Sequence, residues 1–289
     1  VILVAGGTGR LGSLVVADLL ARGNRVRVLS RGTGPVPQEV APSEVMAGSV
    51  TDPAALEKAV EGVDLVVSAV TGFPRTDPAR VDAAGNELLV QAAEGVGAEV
   101  VLVSVAGAAP DSAMGLFRAK FEAEQALGRS SVRGTIIRPE AFADLWIDLL
   151  ATTARRSRRP LVFGRGDTPT GWVAVGDVAA LVTRVVEQAS LRGTTYTLSG
   201  PERISVTELA RRLMASRGWP GSPRHLPVAA LHVTARLPGR SGRQAEAALA
   251  MDQPSPVHDD TRTRVPGLPS TPLAELLGRA AVRSEGHEP

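Results

Sequence analysis

The run Gly6-Gly7-Thr8-Gly9-Arg10-Leu11-Gly12 leaves this chain fewer folding options than any other stretch. It follows the apolar segment Val1-Ile2-Leu3-Val4-Ala5 and opens a helical stretch over residues 11–21, with a second β-rich run at 25–29. Glycines at this spacing are weak evidence alone, but between a buried strand and a helix the context is specific. Gly6 suits the tight turn, Gly9 lets the backbone approach a pyrophosphate, and Gly12 permits close packing of helix on strand. The helix N-terminus adds N–H donors and the positive end of its dipole. The pattern predicts that Gly6, Thr8, Gly9, Arg10, Leu11 and Gly12 hold a dinucleotide, against the alternative of a glycine-rich turn without a ligand.

The first two-thirds of the chain alternates short apolar runs with helical stretches, which predicts a parallel sheet with crossover helices. Strands are expected at 1–5, 25–29, 44–47, 65–69, 100–105 and 135–137, nearly continuously apolar as strands covered on both faces should be. Helices are expected at 11–21, 54–60, 80–94 and 114–127. Beyond Arg138-Pro139 the pattern loosens. A helix over 141–153, a strand at 161–163 and a loop at Gly164-Arg165-Gly166-Asp167 precede a strand at 172–175 and a helix from Asp177, read as its N-cap. A strand at 194–198 and a helix over 205–217 with the capping box Ser205/Glu208 come next. Prolines and glycines then divide the remainder into short helices. The expected fold is α/β, a Rossmann-type doubly wound parallel sheet in the order 3-2-1-4-5-6, with a small mixed C-terminal substrate lobe closing over the carboxyl ends of the strands. Residues 1–140 form the NAD(P)-binding core, and 141–289 add further sheet and helix elements and the lobe.

Composition narrows the function classes. The 289 residues contain no cysteine, which excludes disulfides, Cys-based metal sites and a thiol nucleophile. No run reaches the roughly 20 apolar residues that span a bilayer. The chain opens on Val1 with no basic leader, so a cytoplasmic location is expected, as are residues preceding Val1. Net charge is +2, and Lys58 and Lys120 are the only lysines among 32 basic residues. The dense run Arg155-Arg156-Ser157-Arg158-Arg159 has no interleaved aromatics and reads as a solvated helix end, so neither nucleic acid nor membrane is an expected partner. His225, His232, His258 and His287 lack metal-ligand spacing, and no metal is expected. The second strand ends Val28-Leu29-Ser30-Arg31-Gly32 without the acidic residue that selects NAD, and no carboxylate follows until Glu39. Arg31 is placed to grip a 2′-phosphate through its planar fork, with Ser30 donating a hydrogen bond, so NADPH is the expected cofactor.

GGTGRLG, the VLSR strand end, Val101-Leu102-Val103-Ser104, Lys120 with Glu124 and Leu127, and Ile137-Arg138-Pro139 resemble the atypical short-chain dehydrogenase/reductases. Within them the chain is similar to the NmrA-like group with its NAD(P)H-dependent quinone oxidoreductases. The similarity runs on through 172–179 and Tyr196–Glu202 to Pro269-Ser270-Thr271-Pro272-Leu273. The resemblance implies that Ala69, Val70 and Thr71 lie on the ribose and nicotinamide side of the cofactor. It implies that Lys120 reaches the nicotinamide ribose and that Ser104 faces substrate. The family's acidic residue after the third strand is replaced by Gly48-Ser49-Val50, which puts adenine recognition there in question.

The standard members use Tyr-x-x-x-Lys, whose phenol moves a proton. Four residues before Lys120 stands Leu116, and the chain's single tyrosine, Tyr196, reads as core. Reduction of a quinone or similar conjugated carbonyl is less dependent on that proton, because the product anion is far more stable than an alkoxide. Lys120 and Ser104 are therefore the expected catalytic residues, with Lys120 as electrostatic stabiliser or, alternatively, engaged in an i,i+4 pair with Glu124. Phe73, Phe142, Trp146 and Trp172 are candidates to wall a substrate pocket, with core packing as the competing reading. A non-enzymatic NADP(H) sensor and a tailoring reductase or isomerase are the alternatives, with a monomer or homodimer as the expected assembly.

Overall fold

The computed structural model describes residues 1–32, 35–41, 44–253 and 259–285. Its main elements begin β1 (Ile2–Ala5), α1 (Arg10–Ala21), β2 (Val26–Ser30), β3 (Val45–Ala47), α2 (Pro53–Val60) and β4 (Leu65–Ser68). A π-helical turn (Ala79–Ala84) runs into α3 (Gly85–Val96), followed by β5 (Glu99–Val103), α4 (Gly115–Arg129) and β6 (Gly134–Pro139). Then come β7 (Ala141–Phe142), α5 (Ala143–Ala154), β8 (Leu161–Phe163), β9 (Thr170–Val173), α6 (Val175–Glu187) and β10 (Thr195–Leu198). The chain continues with β11 (Arg203–Ile204), α7 (Val206–Ser216), β12 (Arg224–Leu226), α8 (Val228–Ala235), α9 (Arg240–Met251), α10 (Thr261–Arg264) and α11 (Leu273–Glu285).

The described residues fall into two compact units. The first comprises 1–139, 176–198 and 259–268. Its sheet is β10-β6-β5-β4-β1-β2-β3, parallel throughout. The first six strands take the order 3-2-1-4-5-6, with β10 added beyond β6. Sheet order reverses at β1, which pairs with β2 on one side and β4 on the other. Such strands carry apolar residues on both faces because helices cover both. Leu3, Leu29, Val66, Val100 and Leu102 pack against Leu56 of α2 and Leu89 and Ala93 of α3. Val4, Val28 and Val67, which alternate with them, are buried as fully.

The second unit draws on 140–175, 199–258 and 269–289. It contains a three-stranded mixed sheet, β11-β9-β7, and the parallel pair β12-β8. Its core gathers Ile147 and Leu150 of α5, Trp172 of β9, Leu209 and Leu213 of α7 and Leu273 of α11.

Several expected boundaries are corrected. The helix expected from Asp177 starts at Val175. Asp177 lies inside its first turn, nearly solvent-free and 3.6 Å from the Arg262 guanidinium, a partner too distant in sequence to be read as one. The stretch from Arg80 begins as a π-turn rather than an α-helix. Residues 141–142 are strand, and β11 and β12 also went unforeseen, because two or three residues cannot display an alternation. The tail is less broken than expected, since α9 and α11 run 12 and 13 residues. Ser205 caps α7 as read, accepting from the Glu208 N–H at 3.2 Å. The Arg155–Arg159 run is exposed beyond the end of α5. No helix among the described residues is long and apolar enough to cross a membrane.

Candidate functional site

The glycine turn joins β1 to α1. Gly6 adopts φ +83°, and a Cβ there would stand 2.7 Å from the Ala69 carbonyl oxygen, so the turn lies directly against the exit of β4. A Cβ on Gly12 would meet the Gly6 carbonyl oxygen at 2.2 Å, which only glycine avoids. The Gly9 N–H closes the turn on the Gly6 carbonyl at 2.9 Å. Gly9 then serves as the N-cap of α1, with no side-chain cap and no acidic residue in the first turn. Exposed backbone at an uncapped helix start is the arrangement that receives a phosphate.

The neighbouring strand ends add the remaining groups of this unit. Ser30, buried at the end of β2, places its hydroxyl 3.5 Å from that of Thr8, and it accepts from the Gly32 N–H at 3.1 Å. Arg31 is exposed beyond it. A cavity of about 400 Å³ is lined by Arg31, Ser49, Thr51, Thr76, Asp77, Arg80 and Val81. Ser49 thus reaches this cavity where the family's acidic residue was expected, its hydroxyl 2.9 Å from that of Thr51.

Lys120 lies on α4 and is 5% exposed. Its ammonium donates to the carbonyls of Val70 at 2.7 Å and Val103 at 3.2 Å, and it stands 3.2 Å from the Asp82 carboxylate. An ammonium has three donors, and three acceptors surround this one. Asp82 has no solvent exposure, and its other oxygen accepts from the Gly72 N–H at 2.9 Å. Beside it the Asn86 amide donates to the Asp82 carbonyl at 2.7 Å and its oxygen accepts from the Ser68 hydroxyl at 2.5 Å. One buried polar network therefore ties α4 and the π-turn to the exits of β4 and β5.

The alternative pairing of Lys120 with Glu124 is corrected by the same geometry. Glu124, 3% exposed, takes both carboxylate oxygens to the Arg138 guanidinium on β6, which holds the Arg138 pKa above its ordinary value.

Ser104 sits just past β5, 5% exposed, and its hydroxyl has no hydrogen-bond partner among the described residues. Leu116, in the place of the usual phenol, is half-buried on α4. Tyr196 is core, as read. It is 2% exposed, its hydroxyl is spent on the Leu191 carbonyl at 2.8 Å, and burial raises its pKa.

The structure therefore brings Gly6, Thr8, Gly9, Arg10, Leu11, Gly12, Ser30, Arg31, Ala69, Val70, Thr71, Ser104 and Lys120 into one unit, on α1, α4 and the carboxyl ends of the strands. Phe73 belongs to that unit and is half-buried. Phe142, Trp146 and Trp172 belong to the other. Trp172 is wholly buried in that core, edge-on to Trp146 at 5.8 Å, with its indole N–H on the Ile204 carbonyl at 2.8 Å. His225 and His232 are exposed, and His258 and His287 lie outside the described residues.

Sequence reasoning missed Asp82, Asn86 and Arg80. The first two had a signal: they share one helical face with Leu89, Val90 and Ala93, and polar residues on an apolar stripe are buried with partners.

The features fit a dinucleotide on three counts: the cradle that a Cβ would fill, the orphaned Ser104 hydroxyl and the guanidinium at the end of β2. Comparison with known proteins agrees. Residues 6–189 match the family model described as NAD(P)H-binding. A (4-alkanoyl-5-oxo-2,5-dihydrofuran-3-yl)methyl phosphate reductase of Streptomyces griseus subsp. griseus is 33% identical over 219 residues, 76% of this chain and 74% of the relative. An NAD(P)H azoreductase of Xenophilus azovorans is 29% identical over 221 residues, 76% and 74% of the two chains. The fold is that of the Escherichia coli NADPH-dependent quinone oxidoreductase solved with NADPH, at TM-score 0.78 and 22% identity over 97% of this chain and 99% of that one. With the glycine turn at the sheet reversal and the family match over residues 6–189, the chain belongs to the NAD(P)H-binding family and is an oxidoreductase.

Proposed function

We propose that the protein is an NADPH-dependent reductase that delivers hydride to a quinone or a similarly conjugated carbonyl. The observation that carries this reading is the absence of a phenol beside Lys120, where Leu116 stands and Tyr196 is committed elsewhere. Without a side chain to protonate an alkoxide, the favoured acceptor is one whose reduced form spreads its charge over a conjugated system. The names of two relatives support that class, a furanone whose ring alkene is conjugated with carbonyl groups and a quinone, and the azo group of a third is an N=N acceptor that likewise needs no alkoxide.

The bound cofactor supplies the hydride. The Gly6–Gly12 turn and the start of α1 receive the pyrophosphate, with Thr8, Arg10 and Leu11 part of that cradle. Ser30 and Arg31 read the adenosine ribose and its 2′-phosphate. Ala69, Val70 and Thr71 flank the nicotinamide side. Ser104, with a hydroxyl already stripped of water and unpaired, donates a hydrogen bond to the acceptor oxygen as charge develops on it. Lys120 acts through the backbone as a positioning residue. Its bonds to Val70 and Val103, with the Asp82 bond to Gly72, fix the β4 exit on which the nicotinamide is oriented.

The test is NADPH oxidation against quinones, acyl-furanones, azo dyes and simple aliphatic ketones, with cofactor affinity measured in parallel. Turnover on the conjugated acceptors with little on the ketones is the expected result. Equal turnover on aliphatic ketones overturns it, and so does tight NADPH binding without turnover on any class.

A further inference from the structure

We infer that the cavity between Arg31 and Arg80 is a two-arginine clamp for the 2′-phosphate of the cofactor, with Arg80 as a second determinant of cofactor choice. The inference rests on the reading that the glycine turn holds a dinucleotide. The two residues reach the cavity from different elements, Arg31 from the end of β2 and Arg80 from the π-turn that precedes α3. Neither guanidinium makes an ion pair or hydrogen bond among the described residues, although Arg27, Arg138, Arg203 and Arg212 each hold a carboxylate.

Two unpaired guanidiniums on one small cavity repel each other. Arg80 also stands in the first turn of a helical segment, where the dipole disfavours positive charge. Both penalties vanish when an anion occupies the space between them. The cavity's single carboxylate, Asp77, is turned to the segment's own backbone, accepting from the Ala79 N–H at 3.1 Å, and lies outside ion-pair distance of both arginines. The lining therefore carries a net charge of about +1 by formal count, with the Ser49 and Thr51 hydroxyls available as further partners. A phosphate monoester, with a charge of about −1.5 to −2 at neutral pH and three acceptor oxygens, matches that lining. The bare 2′-hydroxyl of NADH gives the arginines nothing to neutralise.

Titrations of wild type, Arg31→Ala, Arg80→Ala and Arg80→Lys with NADPH, NADH, 2′-AMP and 5′-AMP test this. Arg80→Ala is expected to weaken NADPH and 2′-AMP by roughly tenfold to a hundredfold, the loss of one charge-assisted contact. It should leave NADH and 5′-AMP within about twofold, since a phosphate-only contact is absent from them. Arg80→Lys should recover part of the loss, since it keeps the charge without the fork. Equal loss of NADPH and NADH overturns the clamp and makes Arg80 a stacking partner of the adenine. No loss of either, with Arg31→Ala selective, leaves Arg31 to act alone and also overturns it. Wild type that binds neither cofactor overturns the dinucleotide reading itself, a result separable from both.

Discussion

Lys120 and Asp82 show how a single buried pair changes what a substitution means. The side chains are 6% and 0% exposed, so removing one charge strands the other away from water. Breaking such a pair costs about 3–5 kcal/mol. Lys120→Met is therefore expected to lower stability by that amount in denaturant unfolding. Asp82→Asn combined with Lys120→Met should recover much of it, because no lone charge remains. A Lys120→Met protein of unchanged stability but lower turnover would instead place the ammonium in contact with the reactants. Glu124 belongs to the same lesson. The sequence places it four residues after Lys120, yet the bidentate bond to Arg138 makes it a buried partner of β6, and Arg138→Met is expected to destabilise the fold measurably in a thermal melt.

The turn between β1 and α1 tolerates nothing but glycine at two places, for two reasons. Gly6 needs a positive φ, and Gly12 needs the space taken by the Gly6 carbonyl. Gly12→Ala is expected to abolish binding of NADPH and NADH alike, as read by fluorescence titration, because the whole cradle must shift. This distinguishes it from the selective loss expected at Arg31 and Arg80.

On the opposite flank, β2 and β3 are bridged by Arg27, which donates to Glu44 at 2.8 Å and to the carbonyls of Ala59 and Glu61. The hydrogen bond from Arg27 holds the Glu44 carboxyl below its ordinary pKa. A carboxyl depressed in the folded state adds stability above the unfolded value near 4.5, and that stability is lost as pH falls through the depressed value. Wild type should thus lose stability relative to Glu44→Gln on acidification below pH 4.5, and the two should run parallel above pH 6. A constant difference across both ranges would remove Glu44 from the pH response.

Every proposed cofactor contact lies in the unit built on the seven-stranded parallel sheet. A ligand that binds the folded state alone stabilises it by about 2.7 kcal/mol at a hundred times its Kd. NADPH at that excess is expected to raise the melting temperature by several degrees, with the largest hydrogen-exchange protection at Gly6–Gly12 and Ala69–Gly72. Protection confined to α8 and α9 would place the ligand in the other unit.

The strand order, the glycine turn and the position of Arg31 were legible from the residues because each rests on local chemistry. Apolar runs covered on both faces, a turn that tolerates only glycine and a missing carboxylate after β2 are written within a few neighbouring positions. The partners of Lys120, Glu124 and Asp177 were not legible. Lys120 and Glu124 each took a partner from another element over one another, four residues away, and Asp177 faces Arg262 where a helix cap was expected. A charge buried without an opposite partner is costly, and tertiary packing decides which opposite charge shares its burial. Arg80 was invisible for a related reason: it lines the same cavity as Arg31 from another element, and distance along the chain carries no trace of that. The sequence thus settles where a turn that only glycine can make joins β1 to α1. Folding settles which side chains lose their water together, and so which charges hold the strand ends in place.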